Sequence, residues 1–206
     1  EMIGYFIRQV HNKSRMFSKP RVLICVPSLA TNVDRRAIEE AARDAGAREV
    51  FQIEEPMAAA IGAGLPVGEP QGSMVCDIGG GTTEIGVISL GGLVTKRSVK
   101  VGGDKLDDAI INWVKKEYSM LIGERMAERI KVEVGSAYPT ADLAKAEIRG
   151  RDLITGLPRS ITVTPEEIRR AIEEPVAEIV DTLKVTLDQT PPELSSDIMD
   201  RGIVLT

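Results

Sequence analysis

The sequence predicts an α/β protein in which mixed sheets carry flanking helices, and three observations support this. RVLICVP (21–27), TNVDRRAIEEAARDAG (31–46) and EVFQI (49–53) read as strand, helix and strand, within the roughly thirty residues of a βαβ unit with parallel strands. Met74 to Val99 is apolar and β-branched, and glycines at 79–81 and 91–92 divide it into the three strands of a β-meander. Beyond Asp104 the period changes, and Leu106, Ile110, Trp113, Val114 and Leu121 mark an amphipathic helix.

The other elements follow in order. Met2 to Val10 has apolar residues at 2, 3, 6, 7 and 10, a helical spacing. HNKSRMFSKP (11–20) is a polar, basic loop. The run 21–27 is short and continuously apolar, which predicts a buried strand. In 31–46, Ala37, Ile38, Ala41, Ala42 and Ala45 share one helix face and Gly46 ends it. EEPMAAAIGAG (54–64) sets two acids at a strand end before a helix of small residues. LPVGEPQGS (65–73), with two prolines and two glycines, reads as a linker or domain crossing. GERMAERIKVEVG (123–135) is a further helix, and 145–163 a polar hairpin around TGLP. TPEE (164–167) is a capping box that opens a long helix, with Pro175 as a kink or a restart. PPELSSDIMDRG gives a short helix and IVLT a last strand.

Composition narrows the function classes. Lys and Arg number 26 against 31 Asp and Glu, a net charge of −5, and only 3% of residues are aromatic. Neither an electrostatic footprint for nucleic acid nor a base-stacking platform is supported. Cys25 and Cys76 each sit in an apolar run, 51 residues apart, which fits no metal site and predicts buried, reduced thiols. His11 reads as a surface residue. No run approaches the roughly 18 apolar residues of a membrane span.

MVCDIGGGTTEIGVISLGG (74–92) raises the chemical question. A strand that stops at a carboxylate, turns through bare backbone and resumes is a phosphate-binding device. Glycine lets the backbone approach a ligand closely, and successive N–H groups converge on an anion. Asp77 at the strand end suits Mg²⁺ held through water, since that ion keeps its waters and takes few carboxylates. Thr82 and Thr83 offer hydroxyls to phosphate oxygens or to an attacking water. The plainer alternative is a glycine hairpin with no ligand.

DIGGGTTEIGVISL resembles the second phosphate motif of the actin, sugar-kinase and heat-shock chaperone ATPase superfamily, and IEEPMAAAIGAGLPV resembles its first connecting helix. Together with VGGDKLDDAI and AERIKVEVGSAYP they closely resemble the MreB family of bacterial actins, across essentially the whole chain. The resemblance implies an actin-like (ribonuclease H-like) ATPase fold that binds ATP and Mg²⁺. Asp77 would bind the nucleotide's Mg²⁺, and Gly79, Gly80 and Gly81 would wrap the β- and γ-phosphates. Glu55 and Thr82 match the pair that positions the attacking water. Glu54 fits that role less well. Glu128 and Lys131 match positions that hold the adenosine, and their spacing of three puts them on one helix face. Gly102 and Gly103 match a glycine pair near the nucleotide and the hinge. Without a nucleotide, Glu55 reads as a helix N-terminal acid, Glu128 and Lys131 as a surface ion pair, and Gly102-Gly103 as a strand-to-helix turn.

Met16 and Phe17, amid Lys13, Arg15, Lys19 and Arg21, form a basic loop with an apolar tip, suited to a membrane wedge over anionic headgroups. A loop whose Phe folds back is the alternative. The family implies a cytoplasmic filament protein, peripheral at the inner face of the membrane. It would polymerise with itself and work with cell-wall elongation proteins to maintain rod shape. A chaperone-type ATPase and a small-molecule kinase are the rivals from the same superfamily. Residues 1–67 are expected in the first large subdomain, 68–104 with 172–206 in the second, and 105–171 in a small subdomain inserted into it. The chain begins with Glu1 and ends in a strand, so it is expected to be a piece of a longer chain. The family's first phosphate loop and its last adenosine-closing glycines would lie outside it. ATP hydrolysis is therefore expected of the complete protein and not of this piece.

Overall fold

A computed structural model describes residues 2–10, 19–139 and 144–206. In chain order the elements are α1 (Met2–Val10), β1 (Arg21–Val26), α2 (Asn32–Asp44), β2 (Glu49–Glu54), α3 (Glu55–Gly62), β3 (Ser73–Ile78), β4 (Thr83–Ser89) and β5 (Gly92–Val99). There follow α4 (Gly103–Tyr118), β6 (Met120–Leu121), α5 (Glu124–Val134), β7 (Ala146–Asp152), β8 (Pro158–Val163), α6 (Pro165–Ala171), α7 (Glu173–Asp188), α8 (Pro192–Arg201) and β9 (Ile203–Leu205). They divide into two compact units. The first comprises Glu1–Asp77, Glu84–Ser98 and Gln189–Thr206, and the second Ile78–Thr83 and Val99–Asp188.

In the first unit β1 and β2 pair in parallel from Arg21↔Glu49 to Val26↔Glu54. The crossover between them, α2, opens on a capping box. The Thr31 hydroxyl accepts the Asp34 N–H, and the Asp34 carboxylate accepts the Thr31 N–H at 2.9 Å. The expectation that 21–27 is buried needs correction. Alternate residues of β1 face outward, Leu23 is 64% exposed, and Cys25 is exposed while Cys76 is buried. A period of two puts Leu23 and Cys25 on the face away from the side chains of Val22, Ile24 and Val26.

The main sheet has the order β5-β4-β3-β9, with β9 parallel to β3 through Met74↔Ile203 and Cys76↔Leu205. All of β4 and most of β3 are buried, which accounts for their nearly unbroken apolar runs. Ala60 of α3 packs on Val75 and Ile88, with Leu65, Val67 and Leu93 around them. Residues 65–73 are therefore packed and not a free linker. Leu65 and Val67 belong to this core, the Leu90 N–H donates to Glu69 O at 2.8 Å, and the Gly91 N–H donates to Val67 O at 2.7 Å. The prolines and glycines fold the segment onto the β4–β5 turn. Gly86 lets α3 sit close to β4, because a Cβ there would come within 2.7 Å of Pro56 and of Leu93.

The second unit has its own core. Ile110 and Val114 of α4, Ala127 and Ile130 of α5, Ile148 of β7 and Ile168 of α6 meet in one buried cluster. Strands β6, β7 and β8 pair antiparallel. Helix α4 stops at Tyr118, earlier than its apolar period suggests, because Ser119 turns left-handed at φ 51° and the chain enters β6. Thr164 and Glu167 form the expected capping box. Pro175 marks a restart. The helix breaks at Ile172, and Pro175 falls in the first turn of α7, where no intrahelical N–H is required of it.

Candidate functional site

The glycine turn 79–82 belongs to the second unit and is fixed by backbone bonds. The Gly79 N–H donates to Thr82 O at 2.9 Å, closing the turn on itself. The first turn of α4 then docks on it, as the Gly103 N–H donates to Gly79 O at 2.9 Å and the Asp104 N–H to Gly80 O at 2.8 Å. Gly102, the N-cap of α4, is buried in this contact. A Cβ at Gly102 would collide with the Gly79 carbonyl and come within 2.7 Å of Gly80 O. Its φ of −163° is ordinary extended backbone, so the demand for glycine here is steric. Gly79, Gly80 and Gly81 remain exposed.

Thr82 is half-buried, whereas Thr83 is fully buried and donates its hydroxyl to Val101 O at 2.7 Å. Thr83 was expected to offer that hydroxyl to phosphate or water, but it ties the turn to the strand end before α4.

A cleft of about 690 Å³ opens beside the turn, lined by Gly79, Gly80, Gly103, Asp104, Glu128 and Lys131 among others. Glu128 and Lys131 project from one face of α5, as their spacing required. They are not paired with each other in an ion bridge. Lys131 Nζ lies 3.0 Å from Asp107 Oδ2 and donates to Gly103 O at 3.0 Å. The ammonium is thus held against the N-terminal turn of α4 by a carboxylate that the sequence reading did not single out. The signal was present, since Asp104, Asp107 and Asp108 stand three and four residues apart, on one side of α4.

The carboxylates belong to the first unit. Asp77 is half-buried near the end of β3, and Glu55 is half-buried at the first position of α3. Glu54, the N-cap residue, is committed elsewhere, 3.3 Å from Arg35 and 2.6 Å from Lys96. Glu55 has the opposite surroundings. Burial pushes its carboxyl above the ordinary value of 4.5, and the charges of Glu84 and Asp77 push it the same way. Glu84 was missed by sequence reading, although a carboxylate inside the apolar strand TEIGVIS is itself a signal. Met16 and Phe17 lie outside the described residues.

This fold is that of the actin-like proteins. MreB5 of Spiroplasma citri, in a crystal structure bound to ADP, superposes with a TM-score of 0.92 at 36% identity, over 99% of this chain and 61% of that one. The MamK double helical filament shares the fold at a TM-score of 0.79 and 18% identity.

The MreB/Mbl protein family model matches residues 1–206, and the chain belongs to that family. The cell shape-determining protein MreB of Escherichia coli K12 is 60% identical over 206 residues, which cover all of this chain and 59% of that protein. Mbl of Bacillus subtilis is 51% identical over 205 residues, 61% of its length. The chain thus spans about three-fifths of the length of the curated relatives it matches.

Proposed function

We propose that this chain is the nucleotide-responsive part of an ATP-dependent, membrane-associated actin-like filament protein that maintains rod shape by organising cell-wall synthesis. The observation that carries the reading is the glycine turn 79–82 docked on α4, with Gly102 tolerating no side chain, beside a cleft that holds Lys131. Backbone N–H groups at such a turn suit the β- and γ-phosphates, so Gly79, Gly80, Gly81, Gly102 and Gly103 form the phosphate cradle. Glu128 and Lys131 take the adenosine. The Spiroplasma citri protein was crystallised with ADP and with AMPPNP, which favours a nucleotide as ligand.

Asp77 suits Mg²⁺ held through water. Burial first, and then the charges of Glu84 and Asp77, raise the Glu55 carboxyl, and a divalent cation at Asp77 would relieve the part that comes from like charge. Among the described residues no group of three or more His, Cys, Asp or Glu is placed to hold a metal. Mg²⁺ takes one or two carboxylates and completes its shell with water and phosphate. When bound, the ion would neutralise charge on the phosphates. Glu55 and Thr82 orient the attacking water, since phosphoryl transfer needs positioning and charge stabilisation above all.

Relatives named cell shape-determining protein support the cytoskeletal role, and the MamK double helical filament supports self-association; a head-to-tail contact is the geometry we propose, since a heterologous contact that does not close builds a filament. The inner face of the cytoplasmic membrane and cell-wall elongation proteins are the proposed partners, with Met16 and Phe17 as the membrane contact. Among the described residues no helix is long and apolar enough to cross a membrane. We also place 1–67 in the first large subdomain, 68–104 with 172–206 in the second, and 105–171 in the inserted small one. The pairing of β9 with β3 supports joining the two stretches of the second.

Pelleting of the full-length protein tests the reading, with ATP or without nucleotide, and with or without anionic liposomes. ATP-dependent pelleting, enhanced by liposomes and weakened in that arm by Phe17→Ser, is expected. A monomer that binds ATP and never pellets would refute the filament.

A further inference from the structure

One buried group has no part in the function proposed above. Glu84 of β4 is 1% exposed. Its Oε2 accepts the Ser28 N–H at 3.3 Å. Its Oε1 has no hydrogen-bond partner among the described residues, and neither has the hydroxyl of Ser28, which is 4% exposed. Buried polar atoms are rarely left unpaired, because each forfeits its hydration, and a carboxylate forfeits more than a hydroxyl. Two such atoms on residues already bonded to each other mark a built polar site.

The fold aims that site at Glu55. Side chains two apart on a strand share a face, so Glu84 and Gly86 point the same way from β4. Gly86 is where α3 rests, with the Pro56 side chain so close that a Cβ would meet it at 2.7 Å. Pro56 directly follows Glu55 at the start of α3. Glu84 and the first turn of α3 therefore lie on the same side of the strand, and the charge of Glu84 acts on the Glu55 carboxyl.

We propose that Glu84 is a positioning residue for the Glu55 carboxylate. The Ser28 N–H holds Glu84 in place, and Glu84 reaches Glu55 through a bound water shared by its free oxygen and the Ser28 hydroxyl. The inference rests on Glu55 orienting the attacking water. In that step the water oxygen bonds to the γ-phosphorus, and the bond from phosphorus to the β,γ-bridging oxygen breaks. That oxygen leaves with the electron pair on ADP, and the water's proton passes through the Glu55 carboxylate to the released phosphate. Glu84 touches neither phosphate nor attacking water. It fixes the direction in which Glu55 accepts the proton, a role that alters turnover without altering nucleotide affinity.

The test compares Glu84→Gln, Ser28→Ala, Glu55→Gln and the Glu84→Gln/Glu55→Gln double variant in the full-length protein. Phosphate release gives kcat and KM for ATP, a fluorescent ATP analogue gives affinity, and thermal melts report folding. Glu84→Gln is expected to lower kcat about tenfold with affinity and KM within about twofold, and Ser28→Ala to lower kcat less. The double variant should be no slower than Glu55→Gln, since two groups acting through one path do not lose independently. An unchanged kcat in Glu84→Gln, or losses that multiply in the double variant, overturns the proposal. Should Glu84→Gln fail to fold, Ser28→Ala decides, and an unchanged kcat there overturns it equally. If Glu55→Gln leaves kcat intact, the Glu55 assignment fails and this inference with it. If Glu55→Gln slows hydrolysis and Glu84→Gln does not, only the inference fails.

Discussion

Gly102→Ala should be among the most damaging single-methyl changes in the second unit. The added Cβ would collide with the carbonyl oxygen of Gly79 and sit within 2.7 Å of that of Gly80. Both are backbone atoms of a turn closed on itself, so no side chain can swing aside. Relief requires the first turn of α4 to retreat from the glycine turn, stretching the bonds from Gly103 N–H to Gly79 O and from Asp104 N–H to Gly80 O. Overpacking of this kind costs about 1–3 kcal/mol, and each weakened hydrogen bond adds up to about 1 kcal/mol. A total of about 3 kcal/mol corresponds to a fall in Tm of roughly 6–12 °C for a domain of 150–250 residues. Since φ at Gly102 is ordinary, the whole effect is steric. Gly81→Ala supplies the control, because nothing lies within 4 Å of a Cβ there, and its cost should stay within about 0.5 kcal/mol. Thermal melts of the two variants, followed by circular dichroism, measure the difference, and nucleotide titration should show weakened binding in Gly102→Ala. Equal melting of Gly102→Ala and wild type would refute the steric argument and, with it, the docking of α4 on the turn as the feature that shapes the cradle.

Three further outcomes are expected. Lys131→Ala should weaken ATP binding by about tenfold, because the half-buried ammonium is lost and Asp107 is left beside the cleft without its counter-charge; unchanged affinity by titration would remove Lys131 from the site. Without nucleotide, the raised Glu55 carboxyl gives the folded state a proton that the unfolded chain, at its ordinary value of 4.5, gives up sooner. Its contribution is full below pH 4.5 and lost as pH rises through the folded value, so the Tm of Glu55→Gln should gain on wild type above pH 4.5, and a gap that does not change with pH would contradict this. Asp152 behaves oppositely, since the Thr155 and Ile154 N–H groups at the β7–β8 turn hold its carboxyl down to about 2, against an ordinary 3.8. That stabilisation is present above pH 3.8 and lost as pH falls towards 2, and Asp152→Asn should remove that part of the acid sensitivity in pH-dependent melts.

Much of the fold was legible because periodicity and punctuation agreed. The βαβ unit, the three strands of 73–99 and the capping box at Thr164 lie where spacing, glycines and cap residues put them. The misplacements share a physical cause, that burial is a tertiary property. An unbroken apolar run such as 21–27 does not say how much of each face the rest of the protein covers, and Leu23 and Cys25 are exposed. Prolines and glycines in 65–73 announced a turn-rich path, but not that Leu65 and Val67 would join a core with Ala60, Val75 and Ile88. At the candidate site the glycines and Asp77 could be named from pattern alone. Thr83 could not be assigned, because adjacent threonines look alike in sequence, and only the strand's alternation decides which hydroxyl is spent on Val101 O.

The adjacent acids Glu54 and Glu55 stand in two different environments. The β2–α3 junction must be rigid if a carboxylate there is to orient a water, and rigidity needs an anchor that does not compete for the same group. Glu54 supplies it, with Arg35 of α2 on one side and Lys96 of β5 on the other, fixing the junction to a helix and a strand. Each of its carboxylate oxygens is held by one of those cations. At the next residue burial first, and then the like charges of Glu84 and Asp77, raise the carboxyl. Raising the pKa of a carboxylate makes it a stronger base. Under the proposed role of Glu55, the Glu54 ion pairs serve it by holding the junction in place. Under that proposed role, Lys96→Met should impair phosphate release in the full-length protein through a loosened junction. A loss of turnover that Glu55→Gln does not deepen would establish that coupling, whereas independent losses would show that Glu54 serves stability alone.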